Sequence, residues 1–331
     1  MSGSGRATAP LIRSRDRAAI ARAVSMAERG DEEVHQLLEM LAGDTRRAYR
    51  IGITGPPGAG KSTLTMQLIR QLRAANQSLG VIAVDPSSPF SGGALLGDRV
   101  RMSDVASDEH VFIRSMAARG ALGGLAAAVA DAADIFDAAG FDSILIESVG
   151  VGQNELDIAQ AADTVLVVLT PESGDDVQVT KAGIMEIADI FVLNKNDRPG
   201  GDVIHAALRE MIDLQRQSRL PDSWAIPIVR TVAQEGAGVV VLCAAIFEHR
   251  AFQERTHALA ARRSRRALER VKRLVQSRVE HELWNEERLQ RLQHELASEA
   301  LSNEAASKRS VHGIAQQLFA DFWRCRGRES P

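Results

Sequence analysis

The chain has 331 residues, of which 45% are hydrophobic and 25% charged, with a formal net charge of −3. That make-up fits a soluble globular protein with one large domain, or a core domain plus extensions, and supplies no field to draw it to nucleic acid or an anionic membrane. Cys243 and Cys325 stand apart without Cys-x-x-Cys spacing or a His-rich tract, which argues against a disulfide framework or structural zinc and fits a reducing cytoplasm; no run approaches the roughly 18 apolar residues of a membrane span.

Met1 to Pro10 is small and polar, lacks the apolar core of a secretion signal and reads as a disordered tail. Residues 11–48 read as a helical arm. Ile20 and Val24 lie one turn apart, Gly30 stops the first helix, and Asp31 caps a second that carries Val34, Leu37, Leu38 and Leu41 on one face. From Tyr49 onward apolar β-rich runs at 49–54, 79–84, 110–114, 142–147, 164–169, 190–194 and 225–229 alternate with helical runs near 62–75, 120–139, 176–187 and 202–217. Runs such as Thr164-Val-Leu-Val-Val-Leu do not alternate with polar residues, as expected of strands covered on both faces. The pattern predicts an α/β fold: a mostly parallel sheet flanked by helices.

The first strand runs into Gly55-Pro56-Pro57-Gly58-Ala59-Gly60-Lys61-Ser62, followed by Thr63 and an amphipathic run through Leu64, Leu68, Ile69 and Leu72. Gly-x-x-x-x-Gly-Lys-Ser between a strand and a helix is a phosphate-binding P-loop. Its glycines let backbone N–H groups turn toward phosphate oxygens, and the helix adds the positive end of its dipole. Lys61 reaches the β- and γ-phosphates, and the Ser62 hydroxyl suits Mg²⁺.

The loop after the second strand, Asp85-Pro86-Ser87-Ser88-Pro89 through Gly97-Asp98-Arg99, contains too many prolines and glycines for a helix. Asp85 falls at the carboxyl end of its strand, where a carboxylate suits Mg²⁺ directly or through water; Asp98 supplies a second or caps a helix. The strand ending Ile144-Leu-Ile-Glu147-Ser148-Val149-Gly150 adds the other half of such a site, with Glu147 orienting Mg²⁺ or its water and the Gly150 N–H facing the γ-phosphate. Signalling GTPases carry a water-positioning glutamine after this glycine. Val151 stands there instead, with Gln153 and Glu155 displaced, so hydrolysis by the isolated protein is expected to be slow.

Asn194-Lys195-Asn196-Asp197 follows another strand, about 130 residues after the P-loop. The Asp197 carboxylate can accept both N1–H and the N2 amine of guanine, a fork that adenine lacks. Asn194 can bond the base and the phosphate loop together, and the Lys195 stem can lie over the ring. Thr231-Val232-Ala233 either offers a backbone N–H to guanine O6 or is a plain loop. The expected nucleotide is GTP, with GDP as product.

After Gly236 the chain reads as helical. Ten Arg or Lys between 250 and 280 face three acids, but no aromatic residues are interleaved within 253–280; a solvated face or an acidic partner fits better than nucleic acid. His249 and His257 read as surface residues of one helix. Leu268, Val271, Val275 and Val279 form one apolar stripe, Leu289, Leu292 and Leu296 another, and Ile314, Leu318, Phe319 and Phe322 a third. Stripes this far from a sheet call for a partner, and a second subunit is the natural one. The expected organisation is therefore an N-terminal tail and helical arm over 1–48, a nucleotide-binding domain over 49–236 and a helical dimerisation region over 237–331.

Over about 11–325 the chain resembles the MeaB/ArgK (methylmalonic aciduria type A) family of P-loop GTPases, whose fold is SIMIBI-like. The resemblance rests on Gly-Pro-Pro-Gly-Ala-Gly-Lys-Ser, Asp-Pro-Ser-Ser-Pro at 85–89, Gly-Asp-Arg-Val-Arg-Met at 97–102, Glu-Ser-Val-Gly-Val-Gly-Gln at 147–153, Lys-Ala-Gly-Ile-Met-Glu-Ile-Ala-Asp at 181–189 and Asn-Lys-Asn-Asp. It implies a homodimeric GTPase acting as chaperone of an adenosylcobalamin-dependent acyl-CoA mutase. The family's Mg²⁺ positions fall on Ser62, Asp85, Asp98 and Glu147. Its additional mobile segment falls on about 172–183, where Lys181 is either the partner-dependent activator or a helix-surface lysine. Arg114-Ser-Met-Ala-Ala-Arg119 and Thr231 depart from the family pattern. Alternative readings are a metal-insertion GTPase, which needs Cys/His clusters absent from the sequence, a small-molecule or protein kinase, which needs an acceptor pocket and base, and a GTP-binding module without turnover.

Overall fold

The computed structural model describes residues 3–44, 48–86, 105, 107–118, 124–148, 160–174, 184–217, 223–284, 286–301 and 310–326. The chain divides into two compact units, Met1–Arg266 and Ala267–Pro331.

The first unit is built on seven parallel strands: β1 (Tyr49–Thr54), β2 (Leu79–Pro86), β3 (Val111–Ala118), β4 (Ser143–Glu147), β5 (Thr164–Leu169), β6 (Ile190–Leu193) and β7 (Ile228–Arg230). Their order is β3-β2-β4-β1-β5-β6-β7. The chain leaves β1 to one side for β2–β4 and later crosses to β5 on the other, so the carboxyl end of β1 lies at a topological switch point, where open α/β sheets bind ligands. The sheet is mostly parallel and flanked by helices, as the apolar runs predict.

Period-two alternation survives inside the fully buried strands as a choice between two cores. Val165, Val167 and Leu169 pack with Ile204, Leu208 and Ile212 of the helix Gly201–Gln217. Leu166 and Val168 of the same strand join Leu64 and Leu68 of Lys61–Ala74, and Leu242 and Ile246 of Val239–Arg255. Strand β4 divides likewise, Ile144 and Ile146 facing one core and Leu145 the other.

The arm is three helices, Gly3–Arg13, Arg17–Arg29 and Glu32–Leu41. The expected tail over Met1–Pro10 is corrected: helix begins at Gly3, with Ala9 and Ile12 buried among Ile20, Val24, Leu37 and Leu41. Tertiary packing outweighs the small, polar composition there. Gly30 ends its helix in the left-handed conformation at φ 72°, as expected, whereas Asp31 makes no side-chain cap bond and pairs with Arg29 at 2.6 Å. Asp16, unremarked in the sequence, is the residue that caps, accepting from Ala19 N at 2.7 Å. Arg114 ties edge strand β3 to the arm through Ser25 (2.9 Å) and Glu28 (3.0 Å). Strand β7 starts at Ile228 rather than 225, because Pro227 has no N–H to donate to a ladder.

The expected boundary after 236 falls inside the first unit, since Val239–Arg255 packs on the sheet. His249 is also not a surface residue. It is 2% exposed, bonds Thr164 Oγ1 through Nδ1 at 2.8 Å and lies 3.5 Å from Asp189; burial pushes its pKa below the usual value, with Asp189 opposing. The helix Ala258–Leu283 turns three of its arginines inward: Arg262 binds Asp189 at 2.8 Å, while Arg263 and Arg266 bind Asp163 at 2.6 and 3.0 Å. The acidic partner expected of the basic stretch is, for these three, the protein's own sheet edge.

In the second unit, Leu268, Val271 and Val275 are more than half exposed. The helices Glu286–Leu301 and Val311–Arg326 line an apolar cavity with Leu292, Leu296, Ile314 and Leu318. Among the described residues no helix is long and apolar enough to cross a membrane.

Candidate functional site

The site grows from the end of β1. Gly55 has φ 139°, and a Cβ there would meet Val168 O of β5 at 2.0 Å; only glycine lets the loop leave the strand so close to its neighbour. Gly60 takes φ 85° as N-cap of Lys61–Ala74, with Asn194 Nδ2 2.4 Å from the position of an added Cβ. The Lys61 ammonium is folded back over the loop, donating to Gly55 O at 2.9 Å and Pro56 O at 3.0 Å. A phosphate oxygen, being charged, would be a stronger partner for the ammonium than either neutral carbonyl.

Beside the loop, parallel pairing sets Ile53 against Glu147, which brings the acid at the end of β4 under the start of the helix. Ser62 Oγ donates to Glu147 Oε1 at 2.6 Å and Thr65 Oγ1 to Oε2 at 2.9 Å. A serine hydroxyl and a carboxylate held in contact beside a phosphate loop are the hard oxygen donors that Mg²⁺ takes. Ser62 and Glu147 thus fit the ion. Asp85 is the penultimate residue of β2, opposite Ala117 of β3, at the same carboxyl edge, but its side chain lies outside the described residues, as do Asp98, Gly150, Val151, Gln153, Glu155 and Lys181. Among the described residues no group of three His, Cys, Asp or Glu could hold a metal ion unaided.

A pocket beside the loop, where the sequence places the guanine base, is lined by Gly60, Thr63, Asn194, Lys195, Asp197 and Ala233. Asn194 is 2% exposed and joins its parts: Nδ2 donates to Ala59 O of the phosphate loop at 2.8 Å, and Oδ1 accepts from Thr231 Oγ1 at 3.1 Å and Ala233 N at 3.0 Å. Asp197 is exposed at this pocket, with its carboxylate accessible from outside. The 231–233 segment behaves differently from the expected O6 donor. Thr231 N bonds Leu193 O, Val232 N bonds Ala237 O and Ala233 N bonds Asn194, so all three N–H groups are engaged within the protein. In this conformation the segment orients Asn194.

Among the described residues Lys195 is one of four non-glycine residues with positive φ, at 54°. Its ammonium lies 3.7 Å from Glu172, which also binds Arg198. The Arg198 hydrogen bond, with Lys195 adding to it, holds the Glu172 carboxyl below the usual range. Glu172 and Thr65 were not legible as site residues. Thr65 had a signal, lying three residues after Ser62 and so on the same helix face; Glu172 opens the segment at about 172–183 that the resemblance marks, but nothing local says that it meets Lys195 and Arg198.

A parallel α/β sheet whose switch point carries a P-loop, a carboxylate gripping the loop serine and an Asn-Lys-x-Asp turn locked to the loop defines a P-loop GTPase. The family model described as "Methylmalonyl Co-A mutase-associated GTPase MeaB" matches residues 20–288, and the chain belongs to that family. A Pyrococcus abyssi relative is 49% identical over 260 residues, 78% of this chain and 80% of its own. The GTPase ArgK of Escherichia coli is 32% identical over 319 residues, covering 94% of this chain and 96% of its own. A crystal structure titled as a LAO/AO transport system kinase has the same fold, with a TM-score of 0.70 at 23% identity over 98% of this chain and 99% of its own.

Proposed function

We propose that the protein is a cytoplasmic, homodimeric GTP-driven chaperone of an adenosylcobalamin-dependent acyl-CoA mutase, gating cofactor loading and supporting removal of damaged cofactor. The observation that carries this is membership, over residues 20–288, of a family described as associated with methylmalonyl-CoA mutase. In this reading Asp197 and Asn194 select guanine, and Lys61 exchanges Gly55 O and Pro56 O for the β- and γ-phosphate oxygens. Ser62 and Glu147, with Asp85 and Asp98, would hold Mg²⁺, which would supply positive charge to offset that of the phosphates. Gly150 faces the γ-phosphate, Val151 leaves the attacking water unoriented, and the partner completes the site through the segment that includes Lys181. GTP turnover is then slow alone and faster with the mutase. Steady-state phosphate release is expected to rise at least tenfold when a cognate mutase is added, on the scale of a completed phosphoryl-transfer site. An unchanged rate with methylmalonyl-CoA mutase and each related acyl-CoA mutase would refute the assignment.

The second subunit is assigned to the apolar stripes of Ala267–Pro331. A truncation after Arg270 keeps Arg262, Arg263 and Arg266 on their carboxylates while removing most of those stripes. Sedimentation is expected to find it monomeric; a persisting dimer would place the interface elsewhere.

A further inference from the structure

Glu147 is 3% exposed, and both its carboxylate oxygens accept from hydroxyls of one helix, Oε1 from Ser62 and Oε2 from Thr65. Positions 62 and 65 lie one turn apart on Lys61–Ala74. The two hydroxyls differ in what else they can do. Ser62 directly follows the loop lysine, where its oxygen is wanted by a nucleotide's Mg²⁺. Thr65 is one turn further in, 0% exposed, and its other neighbour is the Lys61 carbonyl at 2.9 Å. Its single proton is divided between Lys61 O and Glu147, so it can move wholly to the carboxylate when Ser62 turns away.

We propose that Thr65 is a positioning residue for the metal-binding carboxylate: it holds Glu147 in place while Ser62 leaves it for Mg²⁺. This rests on reading Ser62 and Glu147 as the groups that hold the nucleotide's ion. Bound to Thr65 by one oxygen, Glu147 keeps the other turned to the Ser62 side, and the carboxylate need not be reordered as the ion arrives. Preorganisation of this kind strengthens binding without adding a contact to the ion itself.

Valine matches threonine in shape and branching, so Thr65→Val removes the hydroxyl and leaves the packing, while Thr65→Ser keeps the hydroxyl and loses a methyl. The test loads full-length protein with fluorescent GDP and follows its release across a Mg²⁺ titration and in EDTA. Thr65→Val is expected to raise the Mg²⁺ concentration for half-maximal slowing about tenfold, the scale of a hydrogen bond to a charged group. Release in EDTA should stay as in the wild type, and Thr65→Ser should restore the Mg²⁺ dependence. Thr65→Ala, a second hydroxyl deletion, should match Thr65→Val and serves if the valine variant does not fold. A wild-type Mg²⁺ dependence in both hydroxyl deletions overturns the proposal. So does an equal shift in Thr65→Ser, or a change in EDTA as large as that in Mg²⁺, either of which would assign Thr65 to packing of the loop. If the wild-type protein releases GDP without regard to Mg²⁺, the underlying metal reading fails, and the Thr65 role with it.

Discussion

Asp197→Asn is expected to weaken GTP binding on the order of a thousandfold or more and to turn preference toward xanthine nucleotides. The wild-type carboxylate offers two acceptors to the N1–H and N2 amine of guanine. An asparagine offers one acceptor and one donor, which opposes the N2 amine but suits the O2 carbonyl of xanthine. The exchange should leave the rest of the pocket intact, since Asn194 takes its partners from Ala59, Thr231 and Ala233 and none from Asp197. Competition of GTP and XTP against a fluorescent analogue reads the result. A variant that still prefers GTP would mean that guanine is recognised elsewhere. Asn194→Ala would be a poorer test, because it also unlocks the phosphate loop from the 231–233 turn.

The second large effect lies at the opposite end of the sheet. Asp163→Ala is expected to destabilise the protein by about 3–5 kcal/mol, the cost of breaking a buried ion pair from one side. Asp163 is fully buried, accepts from Arg50 N at 3.0 Å and is gripped by Arg263 and Arg266. Burial alone would raise its pKa, but the Arg263 hydrogen bond and the charges of Arg266 and Arg263 outweigh it and hold the carboxyl below 3.8. The two arginines are shifted in opposite senses, Arg266 down through its own burial and Arg263 up through Asp163. Because the folded pKa lies below the unfolded one, Asp163 contributes its full stabilisation at pH values above the ordinary aspartate range and loses it as pH falls through its depressed value. Urea unfolding near neutral pH should show the full loss in Asp163→Ala, and the acid limb of the wild-type profile should flatten in Asp163→Asn. A variant within 1 kcal/mol of wild type would show that the arginine clamp contributes little.

Much of the nucleotide site was written in local sequence. A P-loop needs glycines at fixed spacing, a lysine and a serine at a helix start, and a strand before them; every one of these is a neighbour in the chain. Asn194, Lys195 and Asp197 were legible for the same reason, as was Glu147 closing an apolar strand. The parallel sheet followed from strand–helix alternation, and the resemblance to the MeaB family from runs of specific residues. These are short-range facts, and side-chain chemistry at fixed spacing determines them.

Other features depended on where distant segments meet. His249 looked like one of several helix-surface histidines until Thr164 and Asp189 came to lie against it. The arginines of 262–266 formed an anonymous basic stretch until the amino ends of β5 and β6 presented two carboxylates to them. Ala9 and Ile12 anchor a helix that reaches back into the small, polar Met1–Pro10 stretch, because they pack against the two later helices of the arm, among Ile20, Val24, Leu37 and Leu41. Sequence by itself therefore determined which chemistry is possible here: a lysine for phosphates, an aspartate for guanine, a glutamate beside a serine. Only the tertiary structure decided which atoms hold those groups in register. Thr65 grips Glu147, and Thr231 and Ala233 orient Asn194, because hydrogen bonds across a fold depend on strand order and register, and neither is encoded at any single position.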